Sequence, residues 1–138
     1  MKTHTTNYTH TFIEIAEDCP ATAGEIPPQK GTNRTIANIQ FDLLNNNAPY
    51  TFTSDDVVFQ TYAEKNGIPK SEWKKAREVF FSKGQPCMRC SPLTKRYGWG
   101  VHSNEAGKIA LVAAGSAEYK KMLKDKTLKV VKAMRTTK

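Results

Sequence analysis

Two cysteines three residues apart, Cys87 and Cys90, sit near the start of a stretch in which side chains capable of chemistry crowd together. The same stretch, Gly84 to His102, holds Arg89, Lys95 and Arg96, the hydroxyls of Ser91 and Thr94, the rings of Tyr97 and Trp99, and His102. Guanidinium groups grip phosphate or carboxylate through paired N–H donors, and hydroxyls add hydrogen bonds. Arg89, Ser91, Thr94, Lys95 and Arg96 therefore compose an anion-binding set. Tyr97 and Trp99, two apart on a strand, would share a face, and rings beside cations make a platform on which nucleobases stack. His102 closes the segment. A nucleic acid, a nucleotide or another anionic ligand is the partner this set fits.

Two other chemistries use the thiols. Cys87 is a candidate nucleophile: neighbouring cations favour a thiolate, and His102 supplies a base if the fold brings it close. The Cys-x-x-Cys spacing is also shared by zinc sites and redox dithiols. A structural zinc takes four N or S ligands, so Cys19, His4, His10 or His102 would have to complete the sphere, and no metal or cofactor is expected. A thioredoxin-like dithiol requires a βαβ context and a thiol at a helix N-terminus. Neither is expected here.

Each feature has a plainer explanation. The cysteines can be reduced structural residues, the cations a solvated face, and Tyr97 and Trp99 the buried side of a strand against a helix. His4 and His10 stand near the N-terminus with no partner in view. Asp55-Asp56 and Glu17-Asp18 are better explained by helix-start electrostatics and loop solvation than by acid–base chemistry.

The elements that must position these groups follow from periodicity and punctuation. Tyr8 to Ala16 reads as a strand, and Glu17 to Arg34, with Cys19-Pro20 and Pro27-Pro28, as a long connection. A first helix begins near Thr32 or Asn33 and runs to about Leu44, with Ile36, Ile39, Leu43 and Leu44 on one face. Thr53 or Ser54 caps a second helix that leaves at Asn66-Gly67. A third spans about Pro69 to Ser82, burying Trp73, Ala76 and Phe80 and turning Lys74, Lys75 and Arg77 mostly to water. Tyr97–His102 and Lys108–Ala113 form a hairpin across Ser103–Gly107. Ser116 caps a short helix to about Leu123, and a strand from Leu128 to Met134 precedes a polar tail. The order β-α-α-α-β-β-α-β is not a βαβ alternation, so the expected fold is α+β, a mainly antiparallel sheet packed with about four helices.

The chain of 138 residues, 38% hydrophobic and 25% charged, fits a single α+β domain over residues 1–138 and excludes global disorder. No apolar run approaches the ~18–20 residues that span a bilayer, and the polar opening Met1–Asn7 lacks the apolar core of a signal peptide. Three cysteines make a poor disulfide framework, so a reducing, cytoplasmic setting without membrane contact is expected. The net charge of +8 is lopsided. Residues 1–67 carry 4 Lys/Arg against 8 Asp/Glu, and residues 68–138 carry 17 against 5. Such a basic half attracts polyanions through its summed field.

The wording Phe80-Phe81-Ser82-Lys83-Gly84-Gln85-Pro86-Cys87, followed by Ser91-Pro92-Leu93-Thr94-Lys95-Arg96-Tyr97-Gly98-Trp99-Gly100, resembles a family of small uncharacterised bacterial proteins. So do the opening Lys2–Tyr8, Phe12-Ile13-Glu14, Ala16–Pro20 and the closing Lys132-Ala133-Met134-Arg135. The resemblance implies a domain of unknown function and carries over no activity, substrate or catalytic residue. On the residues themselves the favoured reading is a non-enzymatic module that binds an anionic ligand. The alternatives are a small enzyme with Cys87 as nucleophile, or a structural protein with Tyr97, Trp99 and the hairpin edge at an interface. Oligomeric state is not legible in the chain.

Overall fold

Thr11, Phe12, Ile13 and Glu14 alternate in side-chain direction, and both faces of this strand are covered, so Phe12 and Ile13 are both buried although they point opposite ways. The computed structural model describes residues 3–29 and 31–135. The polar tail expected after Met134 lies outside the described residues from 136 on. The strands are β1 (Thr11–Glu14), β2 (Trp99–Ser103), β3 (Ile109–Ala113) and β4 (Lys129–Lys132). The helices are α1 (Ile36–Asn45), α2 (Ser54–Lys65), α3 (Trp73–Phe80), α4 (Pro92–Lys95) and α5 (Ala117–Leu123). Single 3₁₀ turns at Lys70–Glu72 and Met88–Cys90 precede α3 and α4.

One sheet runs in the order β3-β2-β1-β4. β2 and β3 are the expected antiparallel hairpin. β1 is antiparallel to β2, with Phe12 opposite His102 and Ile13 opposite Val101, and parallel to β4. The fold is α+β with a mixed, mostly antiparallel sheet, as the element order predicts.

Strand alternation sends Ile13, Val101 and Ile109 to one face, where they pack with Val57 of α2 and with Met88. Phe12, Val112 and Ala114 meet Tyr119 of α5 on the other face. Ala37 and Phe41 of α1 close over Leu93, with Tyr97 and Trp99 against them. A fourth cluster joins α2 to α3 through Phe59, Ala63 and Phe81, with Trp73 and Phe80 alongside.

Several boundaries differ from expectation for identifiable reasons. β1 is shorter than Tyr8–Ala16 because His10 takes a left-handed φ of 49° and the Ala16 amide donates to Thr94 O instead of to a strand. α1 starts at the Thr35 cap rather than near Thr32 or Asn33. Thr35 and Asn38 form a reciprocal capping box, the Thr35 hydroxyl accepting from Asn38 N and the Asn38 carboxamide from Thr35 N. Arg77 does not turn wholly to water. It pairs with Asp56 at 2.9 Å and lies over the rings of Phe59 and Phe81. Asp55 holds more than a helix start: its buried carboxylate accepts from the Thr5 hydroxyl and from the Thr6 amide and hydroxyl, clasping the N-terminal arm to α2.

Candidate functional site

The segment Gly84–His102 is wound into a 3₁₀ turn, a short helix and a strand. Ser91-Pro92 starts α4: the Ser91 hydroxyl accepts from Leu93 N, and Pro92 fills the first helical position, where no N–H is needed. The same hydroxyl donates to Gln40 Oε1 at 2.5 Å. Thr94 is fully buried and donates to the Met88 and Ser91 carbonyls. Both hydroxyls of the expected anion set are thus taken up inside the protein.

The cations of the set differ in their surroundings. Arg89 Nε donates to Lys132 O at 2.7 Å, and Arg89 O accepts from Met134 N, so this residue ties the segment to the end of β4. Lys95 is half-buried, Arg96 is exposed, and neither forms a salt bridge among the described residues. Tyr97 precedes β2 rather than belonging to it, because Gly98 turns the chain at φ +75°. Its ring and that of Trp99 pack into the α1–α4 cluster, Trp99 lying 5.5 Å from Phe41 and donating from Nε1 to Glu25 O. Gly98 and Gly100 do permit close approach, but of the protein itself. A Cβ at Gly98 would stand 2.2 Å from Ala23 O, and one at Gly100 would stand 2.7 Å from Phe12 and 2.9 Å from Tyr119.

His102 faces away from Cys87. Its neighbour Val101 packs in the cluster that contains Met88, so His102 occupies the opposite face of the sheet. There its Nδ1 meets the Tyr50 hydroxyl at 2.7 Å, with the rings edge to face. Tyr50 itself takes a left-handed φ of 63°. Burial lowers the His102 pKa, with His10 adding to the effect and Glu118 and Asp125 opposing it. Burial, and then the charge of Glu118, raise that of Tyr50. Among the described residues no group of three or more His, Cys, Asp and Glu side chains is placed to hold a metal ion.

The segment does build one concave surface. A cleft of about 420 Å³ lies between α1, α2 and residues 85–92. Ile36 and Gln40, one turn apart on α1, form one wall, and Val58, Tyr62 and Lys65 at i, i+4 and i+7 of α2 form another. Phe80, Pro86 and Pro92 add apolar surface, and both Cys87 and Cys90 line it. Ile36 and Tyr62 remain 45% and 39% exposed, large apolar groups that the fold itself leaves uncovered. Gln40 is buried. Its Oε1 is occupied by Ser91, and its NH₂ has no hydrogen-bond partner among the described residues. Lys65 brings an ammonium to the rim, with one of its three protons on Arg34 O.

Cys87 has a specific neighbour. Its sulfur lies 3.3 Å from the Tyr8 hydroxyl. That hydrogen bond, then burial, then the charge of Cys87 raise the Tyr8 pKa, against a lowering by Arg89. Either group can be the donor in this contact.

Sequence reasoning named the thiols but missed the walls. Their signal was present: Val58 and Tyr62 extend the apolar surface of α2 beyond Val57 and beyond Phe59 and Ala63, which close two separate core clusters. An apolar face wider than the core requires marks surface left for something else.

The fold and this cleft define an α+β protein with one mostly apolar, thiol-bearing recess on the helical side of its sheet. The chain belongs to DUF6157, a family of unknown function, whose model matches residues 3–138. No curated protein and no solved structure matches the chain.

Proposed function

We propose that this protein binds a small carboxylate with an apolar body in the cleft between α1, α2 and residues 85–92. The observation that carries the reading is the pairing of a recess of ligand size, about 420 Å³, with a Gln40 NH₂ that no protein group among the described residues engages and that stays open to solvent, and a cation at the mouth on Lys65. Ligand sites are characteristically apolar recesses of roughly 300–1,000 Å³ with a few converging polar groups. Ile36, Val58, Tyr62 and Phe80 would take the body, and the Gln40 NH₂ and Lys65 ammonium the head group. An anionic ligand was the expectation from the sequence. This reading cradles it in the helical cleft instead of the basic-aromatic segment, because the rings of that segment pack into the α1–α4 cluster and its Arg89 is bound to Lys132 O. Catalysis by a Cys87 nucleophile draws no support from His102, which lies across the sheet.

The test is a titration of the reduced protein with aromatic and branched aliphatic carboxylates, each paired with its uncharged alcohol, followed by amide chemical shifts. The carboxylates are expected to shift Tyr62, Cys87 and Cys90 and to bind more tightly than the alcohols. Lys65→Met is expected to weaken the carboxylates by about tenfold, the size of one charge-assisted contact, and to leave the alcohols unchanged. Shifts scattered over the surface, or equal affinity for acid and alcohol, would sink the proposal.

A further inference from the structure

The binding proposal makes no use of the two sulfurs. Cys87 caps the Met88–Cys90 turn with φ −87° and ψ −173°, and Cys90 N donates to Cys87 O at 2.9 Å. This is almost the backbone of the N-caps of α1 and α2, where Thr35 has φ −81°, ψ 169° and Thr53 has φ −82°, ψ 168°. In those two the cap and the residue three further on reach each other: Thr35 Oγ1 lies 2.9 Å from Asn38 Oδ1, and Asp56 Oδ2 returns to Thr53 N at 3.0 Å. Cys87 and Cys90 hold the same relation across a tighter turn. Such a closed turn keeps its end Cα atoms within about 7 Å, in a 3₁₀ turn near 6 Å with side chains at i and i+3 eclipsed. A disulfide spans about 4.4–6.8 Å between Cα atoms. Both residues also border the cleft, Cys90 exposed and Cys87 partly so, which gives a reagent a way in. The sequence reading expected no thiol at a helix start, and Cys87 accordingly opens only a single 3₁₀ turn.

We propose that Cys87 and Cys90 form a reversible dithiol–disulfide site that exchanges with low-molecular-weight organic disulfides entering the cleft. Cys90, the exposed member, gives up its proton to solvent and attacks one sulfur of R–S–S–R. That S–S bond breaks, a mixed disulfide forms on Cys90, and the first thiolate leaves and is protonated to RSH. Cys87 then loses its proton to solvent, its thiolate accepting from the Tyr8 hydroxyl 3.3 Å away, attacks the Cys90 sulfur and expels the second RSH. Two protein thiols are oxidised by two electrons and release two protons, and one organic disulfide is reduced to two thiols. The site shares the cleft with the binding proposal but does not need its ligand.

Incubation of the folded, reduced full chain with excess oxidised glutathione, acid quenching, alkylation and non-reducing tryptic digestion tests this directly. Trypsin cuts after Arg89, between the two thiols, so an internal bond appears as peptide 84–89 linked to peptide 90–95. That linked pair is expected as the main product, with Cys19 alkylated. Cys87→Ser is expected to stall with glutathione on Cys90, and Cys90→Ser to react at least tenfold more slowly at Cys87. A lasting glutathione adduct in the wild-type chain with Cys87 still open to alkylation, or pairing through Cys19, would overturn the proposal. Circular dichroism of both variants confirms that they fold. Carboxylate titration of the doubly substituted Cys87→Ser, Cys90→Ser chain reads the binding proposal separately, so either can fail alone.

Discussion

His102 is the clearest case of an environment setting a side chain's behaviour. It is partly buried against Tyr50, and burial outweighs the nearby carboxylates, so its folded-state pKa lies below the usual imidazole value of 6.5. A base depressed in this way binds fewer protons when folded than when unfolded. Stability is therefore full where the ring is neutral in both states, and it declines as pH falls through the ordinary value toward the depressed one. Urea midpoints are expected to drop between about pH 7.5 and about pH 5.5, and His102→Gln is expected to flatten that drop. An unchanged slope in the variant would assign the proton uptake elsewhere. Asp56 contributes at lower pH with its own sign. Burial pushes it up, but the Thr53 amide and Arg77 outweigh burial and hold it below its usual range. Its contribution is present above the unfolded value and is lost only as pH falls further.

The elements owe their positions to a few polar clasps, of which Asp55 is the most demanding. Its carboxylate receives three donors from Thr5 and Thr6 and sits 9% exposed at the start of α2. Asp55→Ala leaves the Thr6 amide without its acceptor, the Thr6 hydroxyl retaining Ser54 Oγ, and is expected to cost about 2 kcal/mol, with faster proteolytic nicking of residues 3–9. Thermal or urea unfolding measures the first effect and timed digestion the second.

Legibility in the sequence followed the range of the interaction. The hairpin, the caps at Thr53 and Ser116 and the α+β order were readable because turn and cap residues act on their immediate neighbours. The Ser91-Pro92 start of α4 was readable on the same terms but was overshadowed by the adjacent cations. The destination of Arg89, bound to a carbonyl 43 residues away, and the separation of His102 from Cys87 were not readable. Both depend on which strands pair. The two thiols were singled out by spacing alone, whereas the recess beside them needed α1 and α2 to be docked.

At the scale of the whole molecule, one group of lysines lies across the sheet from the cleft, around α5. Lys120 and Lys121 of α5 and Lys124 just after it, with Lys126 and Lys129 toward and on β4, are exposed and form no salt bridge among the described residues. Any attraction to polyanions is expected to be diffuse and screened by salt. Substituting these five lysines with glutamine is expected to move elution from immobilised heparin to lower salt. Substituting Arg89, Lys95 and Arg96 is expected to move it less.

The placement of β1 has a temporal side. It is made before both of its partners, pairing on one flank with a strand near residue 100 and on the other with β4, at residues 129–132. Contacts that span most of a chain form late and slowly. Phe12 and Ile13 must wait for β2 and β4 to be made before both flanks of their strand are paired, and one backbone edge of β1 stays open until β4 arrives. Completion of this sheet therefore trails the synthesis of its central strand.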